Sequence, residues 1–331
     1  MTWLAWRQLR VPAAATGALV GALVVAVLLV RAGHAPADEE AARQLIGGLR
    51  SLTKRVVVVG DVLVLLLPAA IGAFWGAPLL ARELEHGTHR LVWAQSVTRT
   101  RWLAVRLGWT AAATVVVSGV ATLALSRWIA PIDAAVGKTG DQGGFYLARV
   151  APVVFGARGI VPVALSLFAL ALGVLVGALV RRTLPAMVIT LLVFTAVSLA
   201  VPAWVRPHLV KPVTVDARMG GEGTFLQFSD GAAPSVGLSQ PSAWVLSQHT
   251  VDRSGATVEL PASFRRCAQV GSEAAPDVRP CFAALDRAGY RARIVLHPAS
   301  HFWPLQITES IMYILLALLL SALTLWRVRT V

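Results

Sequence analysis

Residues 56–80 read VVVVGDVLVLLLPAAIGAFWGAPLL, a run of 25 residues in which Asp61 is the single charged side chain. A helix that crosses the roughly 30 Å hydrocarbon core of a bilayer needs about 20 mostly apolar residues. A packed soluble core does not take up so long an uncharged stretch. The run therefore predicts a membrane-spanning helix.

Five other runs of similar length and composition accompany it. They are residues 11–30, 102–125, 159–180, 184–205 and 302–326. Since a bilayer offers no water to bare backbone groups, each run is predicted to be helical, with kinks or re-entrant entry at Pro68, Pro78, Pro162 and Pro185. The sequence thus predicts an all-α polytopic membrane protein with about six transmembrane helices.

The composition agrees with this fold class. Hydrophobic residues make up 56% of the chain and charged residues only 14%, whereas soluble domains carry about 25%. The net charge of +13 could suggest a nucleic-acid partner, but the basic residues punctuate the apolar runs instead of forming a patch with interleaved aromatic residues. The predicted partner is the lipid bilayer, and no nucleic acid is expected.

The first run could also be interpreted as a signal peptide, because Arg7 and Arg10 precede it and Ala35-Pro36-Ala37 follows it. Signal peptides have apolar regions of about 7 to 15 residues. Residues 11–30 exceed that length, so we expect a retained helix.

Arginine is concentrated in one set of short flanks, which sets the predicted orientation. These flanks hold Arg7, Arg10, Arg82, Arg90, Arg99, Arg101, Arg181, Arg182, Arg327 and Arg329. The positive-inside rule places them in the cytoplasm. A multi-pass protein of the cell membrane is therefore expected, with both termini and the loop 81–101 cytoplasmic, although Lys54 and Arg55 fall on the outer side. Arg106 is expected to snorkel to the cytoplasm.

Residues 206–301 are predicted to form a small mixed α/β extracytoplasmic domain between helices 5 and 6. They separate residues 1–205 from the last helix and tail, residues 302–331. Strand-like patterns and one turn are expected at Ala243–Ser247, Asp252–Gly255, Thr257–Leu260 and Arg291–Leu296.

The chain's two cysteines, Cys267 and Cys281, both lie in this segment. Two cysteines in one extracytoplasmic segment predict a disulfide, worth about 3 kcal/mol if unstrained. Two unpaired buried thiols are the alternative.

Catalytic patterns are weak. Gly137-Lys138-Thr139 resembles the end of a phosphate loop, but Ile132 stands where that loop needs glycine. His297 and His301 are four residues apart, yet Pro298 disfavours the helix that would align them, and no third metal ligand is evident. An intramembrane enzyme would need polar residues clustered at matching depth in several runs, and none are found. No catalytic residue and no metal site are predicted.

Asp61 and Glu309 lie inside the outer ends of two apolar runs. A charge at mid-bilayer costs about 2.5–3.5 kcal/mol on insertion scales, and such residues usually face a bundle interior or a cavity. Both are candidates for lining a transport path. For Asp61 the alternative is local pairing with Lys54 or Arg55.

The cytoplasmic loop 81–101 begins with two acidic residues, Glu83 and Glu85, in a basic surrounding. Their presence runs against the positive-inside trend, so something other than topology is expected to require them. The alternative is that they only neutralise Arg82 or Arg90.

The pattern Arg-Glu-x-Glu-x-Gly-Thr at residues 82–88, followed by Val-Thr-Arg-x-Arg at 97–101, resembles the cytoplasmic loop of type-2 ABC exporter permeases. Residues 1–8, 74–79 and 298–304 resemble an actinobacterial branch of that family. The resemblance follows the order of the helices along the chain.

This resemblance implies that the chain moves a substrate outward with energy from a separate ABC ATPase subunit. It implies a second permease copy or paralogue, and a coupling contact formed by Glu83, Glu85, Gly87 and Thr88. Because this chain has no ATP-binding motif, ATP and Mg would be held by the partner and no cofactor by this chain. The alternative is a membrane-anchored receptor or sensor, which explains the outer domain but needs only one or two helices.

Overall fold

The computed structural model describes most of the chain. The described residues are Gly21 and residues 38–48, 51–86, 98–139, 149–219, 224–227, 235–238, 243–259 and 279–330. The first predicted helix, residues 11–30, lies outside them apart from Gly21.

The membrane part contains long apolar helices and, between them, shorter ones. They are α1 Glu39–Gly47, α2 Ser51–Ala70, α3 Ala77–Glu85, α4 Arg99–Thr139, α5 Pro152–Phe155, α6 Val161–Val180, α7 Thr183–Ala200, α8 Arg206–Leu209 and, at the end, α10 Phe302–Thr330. Five stretches of the described residues are long and apolar enough to cross a membrane: Thr53–Glu85, Arg99–Ala135, Val161–Val180, Thr183–Leu209 and Ala299–Arg329. Each contains or closely matches one of the predicted runs.

The prolines act in two ways. Pro78 and Pro162 lie in the first turns of α3 and α6, where a missing N–H costs nothing. Pro68 lies inside α2, and three residues later the helix widens into a π-helical turn, Ile71–Gly76. A second π-helical turn, Val201–Val205, joins α7 to α8.

The structure corrects the predicted extent of the third run. Helix α4 continues well past Leu125, through Pro131, to Thr139. Ile129, Ile132 and Ala135 are buried along this extension, so tertiary packing supports helix that the hydropathy of the run alone did not predict.

Helix α6 is the centre of the membrane part, since 15 of its 20 residues are buried. Small residues let it approach the π-helical turn closely. A Cβ added to Gly72 would lie 2.8 Å from the Ala169 carbonyl oxygen, and one added to Gly76 would lie 2.6 Å from that of Leu170. This close crossing is typical of small-residue contacts between membrane helices.

The described residues divide into two compact units. One holds those up to Ala135, Pro152–Leu209, and those from Trp303 onward; the other holds those of Val136–Ala151 and Val210–Phe302. The second unit contains the strands and one helix: β1 Val213–Arg218, β2 Thr224–Gln227, β3 Ser235–Leu238, β4 Trp244–Val251, α9 Arg279–Ala288 and β5 Arg291–His297. Strands β1, β5 and β4 form one antiparallel sheet in that order, and β2 pairs with β3.

The strand expectations at Ala243–Ser247 and Arg291–Leu296 correspond to β4 and β5. The one at Thr257–Leu260 was wrong for its described part, because Thr257 makes only an isolated bridge to Val251. The turn before it is formed by Asp252, whose carboxylate accepts bonds from the amides of Ser254 and Ala256. These bonds form a local turn, and the strand pairing after it is limited to the bridge between Thr257 and Val251.

Cys281 lies in α9, whereas Cys267 lies outside the described residues. The Cys267–Cys281 disulfide therefore stays a prediction.

Candidate functional site

Glu309 of α10 forms a buried ion pair with Arg206 of α8. The Arg206 Nε donates to Glu309 Oε2 at 2.7 Å, and Nη2 donates to Oε1 at 2.9 Å. The same guanidinium donates to the Pro152 carbonyl oxygen at 3.0 Å and stacks over the Phe155 ring, 4.4 Å from its centroid. Arg206 thus joins the start of α8 to α10 and to α5.

Asp61 of α2 is also paired with a buried arginine, Arg158, which precedes α6. Arg158 Nε and Nη2 donate to the two Asp61 carboxylate oxygens at 3.0 and 3.1 Å. Its Nη1 donates to Asp133 of α4, at 3.0 and 2.9 Å to the two oxygens. One guanidinium therefore connects α2, α4 and the start of α6.

Gln306, one turn before Glu309, secures the N-terminus of α6. Its Oε1 accepts bonds from the amides of Ile160 and Val161, both at 2.9 Å. Its Nε2 donates to the carbonyl oxygens of Phe155 and Arg158 at 3.2 and 2.9 Å. Amides at a helix N-terminus have no water to bind inside a bilayer. The Gln306 side chain supplies the hydrogen-bond acceptor that these amides would otherwise lack.

These residues form what we call the polar layer: Asp61, Asp133, Arg158, Arg206, Gln306 and Glu309. Asp61 lies 21 residues before Arg82 and Glu309 lies 18 before Arg327. At 1.5 Å per residue each separation is about 30 Å, one hydrocarbon thickness. The layer can hold the ends of several helices together while compensating each buried charge.

The structure brings the two predicted path residues into this layer, each against an arginine. The ion-pair partner of Asp61 is Arg158, 97 residues away, where the sequence offered Lys54 or Arg55. Sequence reasoning missed Arg158, Asp133 and Arg206 because they were assigned to loops or to the outer domain. Arg158 and Arg206 lie directly beside apolar runs, which marks them as charges at the end of a span but does not identify the carboxylates that they pair with.

Glu83, at the other end of α2–α3, pairs with Arg106 of α4. The Arg106 Nη1 to Glu83 Oε1 distance is 3.1 Å, and the Arg106 guanidinium stacks over Trp102, 5.1 Å from the ring centroid. Both side chains are largely buried. The pairing explains how Arg106 is accommodated about two turns inside α4, where the sequence predicted snorkelling.

Glu85 contacts a different helix. Its Oε2 accepts bonds from the backbone amide of Thr183 at 2.9 Å and from the Thr183 hydroxyl at 2.6 Å. Thr183 is the first residue of α7, after the Arg181-Arg182 hairpin. The other two predicted coupling residues, Gly87 and Thr88, lie outside the described residues.

Two histidines of the second unit meet, although Pro298 separates them. A 3₁₀ turn at Ala299–His301 follows this proline and places the Nδ1 atoms of His297 and His301 3.1 Å apart. His297 is buried and lies against the Trp244 ring. Within the described part of the chain, no group of three or more His, Cys, Asp or Glu side chains could hold a metal ion.

The long apolar helices of the described residues, with charged side chains paired at their ends, define a polytopic membrane protein. A family model described as ABC-2 membrane transporter related matches residues 11–206. The match covers more than half of the 331 residues, so the chain belongs to this family and is a transporter permease of the ABC-2 type. No curated protein and no solved structure matches the chain.

Proposed function

We propose that this permease is the membrane-spanning subunit of an ATP-driven exporter, which moves its substrate outward with energy from a separate ABC ATPase. The observation that carries the proposal is the family match over residues 11–206. That range covers, in whole or nearly so, four of the candidate spans, together with the predicted coupling loop that follows α3. ATP and Mg would be held by the partner, and two permease subunits would form the membrane pathway.

The test of this proposal is reconstitution. The chain would be co-expressed with ABC ATPases from the same genome and purified in detergent, and the turnover of any ATPase that co-purifies would be measured with and without the permease. We expect one ATPase to co-purify and its turnover to rise. Failure of every ABC ATPase of that genome to associate would contradict the proposal.

The proposed orientation places His86 and Arg181 in the cytoplasm and the second unit outside. Single cysteines would be placed at His86, Arg181 and Ala283, all exposed, in a chain whose two native cysteines are replaced by serine. An impermeant maleimide added to intact cells should label only position 283. Labelling of position 86 from outside would reverse the orientation.

A further inference from the structure

The N-terminus of α7 is not capped by its own residues. Its N-cap residue, Arg182, is extended and makes no side-chain capping bond. The Ala186 amide bonds to the Arg182 carbonyl oxygen, and Pro185 has no N–H. Of the first amides of the helix, those of Thr183 and Leu184 therefore need a partner from elsewhere.

Glu85 supplies that partner to Thr183 from another helix. A carboxylate at a helix N-terminus is favoured by the helix dipole, and its bonds to an amide and a hydroxyl are charge-assisted. Glu85 is the last residue of α3, and His86 bonds back to the Arg82 carbonyl oxygen as the helix ends. The remainder of the predicted coupling loop thus begins one residue after the cap of α7.

Helix α7 has few buried side chains in the described part of the structure. It is described throughout, and it buries Ala186, Thr190 and Phe194, whereas α6 buries most of its residues. Helix α7 therefore has fewer buried side chains to hold it against its neighbours than α6 has. The two bonds from Thr183 to Glu85 attach its first residue to the end of α3.

We propose that Glu85 is a positioning residue that makes α7 follow the movement of the coupling loop, and that it does so through Thr183 rather than by touching the ATPase. This inference rests on the proposed function, because it assumes that an ATPase moves the loop. Glu83 provides a matched comparison, since it ties α3 to α4 through Arg106. Replacing both glutamates together could not separate these two connections.

The first experiment tests the contact in the full chain in detergent, without an ATPase. Amide hydrogen exchange would be compared in the wild type, Glu85→Ala and Glu83→Gln. Loss of a cap should speed exchange at the start of α7 about five- to tenfold in Glu85→Ala and leave it unchanged in Glu83→Gln. Unchanged exchange in Glu85→Ala would overturn the proposal.

The second experiment separates positioning from direct contact. Thr183→Val removes the hydroxyl donor on the far side of the contact, on a different helix from the loop. We expect Glu85→Ala and Thr183→Val to bind the co-purifying ATPase within about twofold of wild type. Glu85→Ala should lower permease-stimulated turnover several-fold, and Thr183→Val should lower it less because the Thr183 amide still donates to Glu85. The double variant should lose no more turnover than Glu85→Ala alone.

Two results would overturn the inference here. If Glu85→Ala weakens ATPase binding about tenfold or more while Thr183→Val has no effect, Glu85 touches the ATPase itself. If the wild-type chain binds no ABC ATPase, the proposed function fails, and so does the proposal that Glu85 makes α7 follow the coupling loop. The exchange data still report whether Glu85 caps α7. The two failures are therefore distinguishable.

Discussion

Two regions of the molecule each contain an arginine–carboxylate ion pair with two hydrogen bonds, in different surroundings. In the polar layer, Arg206 holds Glu309 with bonds of 2.7 and 2.9 Å. On the sheet of the second unit, Arg293 holds its cross-strand neighbour Asp216 with bonds of 2.8 and 2.9 Å. Both pairs use Nε and Nη2 of the arginine against the two carboxylate oxygens.

The pairs differ in burial. The side chains of Arg206 and Glu309 are 3% and 1% exposed, whereas those of Arg293 and Asp216 are 35% and 45% exposed. An exposed pair is screened by water and adds little stability. Removing one member of a buried pair leaves a charge without water or partner. The two pairs have similar hydrogen-bond geometry, so geometry does not indicate how much stability is lost when one member is removed. The burial of the pair does.

The largest effect is expected from Glu309→Gln. It leaves the Arg206 guanidinium buried without a countercharge, which typically costs about 3–5 kcal/mol. Thermal unfolding of the full chain in detergent, followed by tryptophan fluorescence, would measure the loss. The double variant Arg206→Met, Glu309→Leu should recover much of it, because no charge is then stranded. A single variant as stable as wild type would show that burial does not set the value of the pair.

Gly76→Ala tests packing with every charge kept in place. The new Cβ would lie 2.6 Å from the Leu170 carbonyl oxygen, closer than real atoms approach, so α6 and the π-helical turn must separate. Overpacking of this kind costs about 1–3 kcal/mol. The same unfolding measurement applies, with Gly119→Ala as control, since a Cβ there meets nothing within 4 Å. Equal stability of both variants would contradict a close crossing.

The difference between the two ion pairs also shows what could be predicted from the sequence. Hydropathy predicted the five spans among the described residues, because a bilayer imposes length and apolarity on each helix independently. It also identified Asp61 and Glu309 as charged residues inside apolar runs, which must have a partner or line a cavity. Their partners, Arg158 and Arg206, could not be found, since pairing across 97 and 103 residues depends on how helices pack.

The coupling loop shows the same limit. The residues Glu83 and Glu85 were recognised by their acidity in a basic segment, and the resemblance implied one shared contact. In the structure they point to different helices, one to Arg106 and the other to Thr183. Residues two apart on a helix lie on different faces, and the identity of the facing helices follows only from the fold.

Glu83→Gln is expected to have an intermediate effect. The Glu83–Arg106 pair is 11% exposed on each side chain, between the two extremes, and glutamine can still accept one bond from Arg106. We expect a loss of about 1 kcal/mol in the same unfolding measurement. Glu83→Asp, which keeps the charge on a shorter side chain, is the comparison. A loss as large as that of Glu309→Gln would mean that the Glu83–Arg106 pair is as isolated from water as the Glu309–Arg206 pair.

The smallest effect is expected from Asp216→Asn. The hydrogen bonds from Arg293 hold the pKa of Asp216 below its usual range, so the pair stabilises the fold above the unfolded-state pKa of about 3.9. That contribution is lost as the pH falls through the lower folded-state pKa. Hydrogen exchange of the β1 and β5 amides in the full chain should therefore be slightly faster in the variant at about pH 7, and the difference should vanish in strong acid.

Because both side chains are more than one-third exposed, the change near neutral pH should be far smaller than that from Glu309→Gln. A difference that persists unchanged in acid would show that the asparagine side chain disturbs the β1–β5 ladder itself, and a loss equal to that of Glu309→Gln would remove the distinction between the buried and the exposed pair.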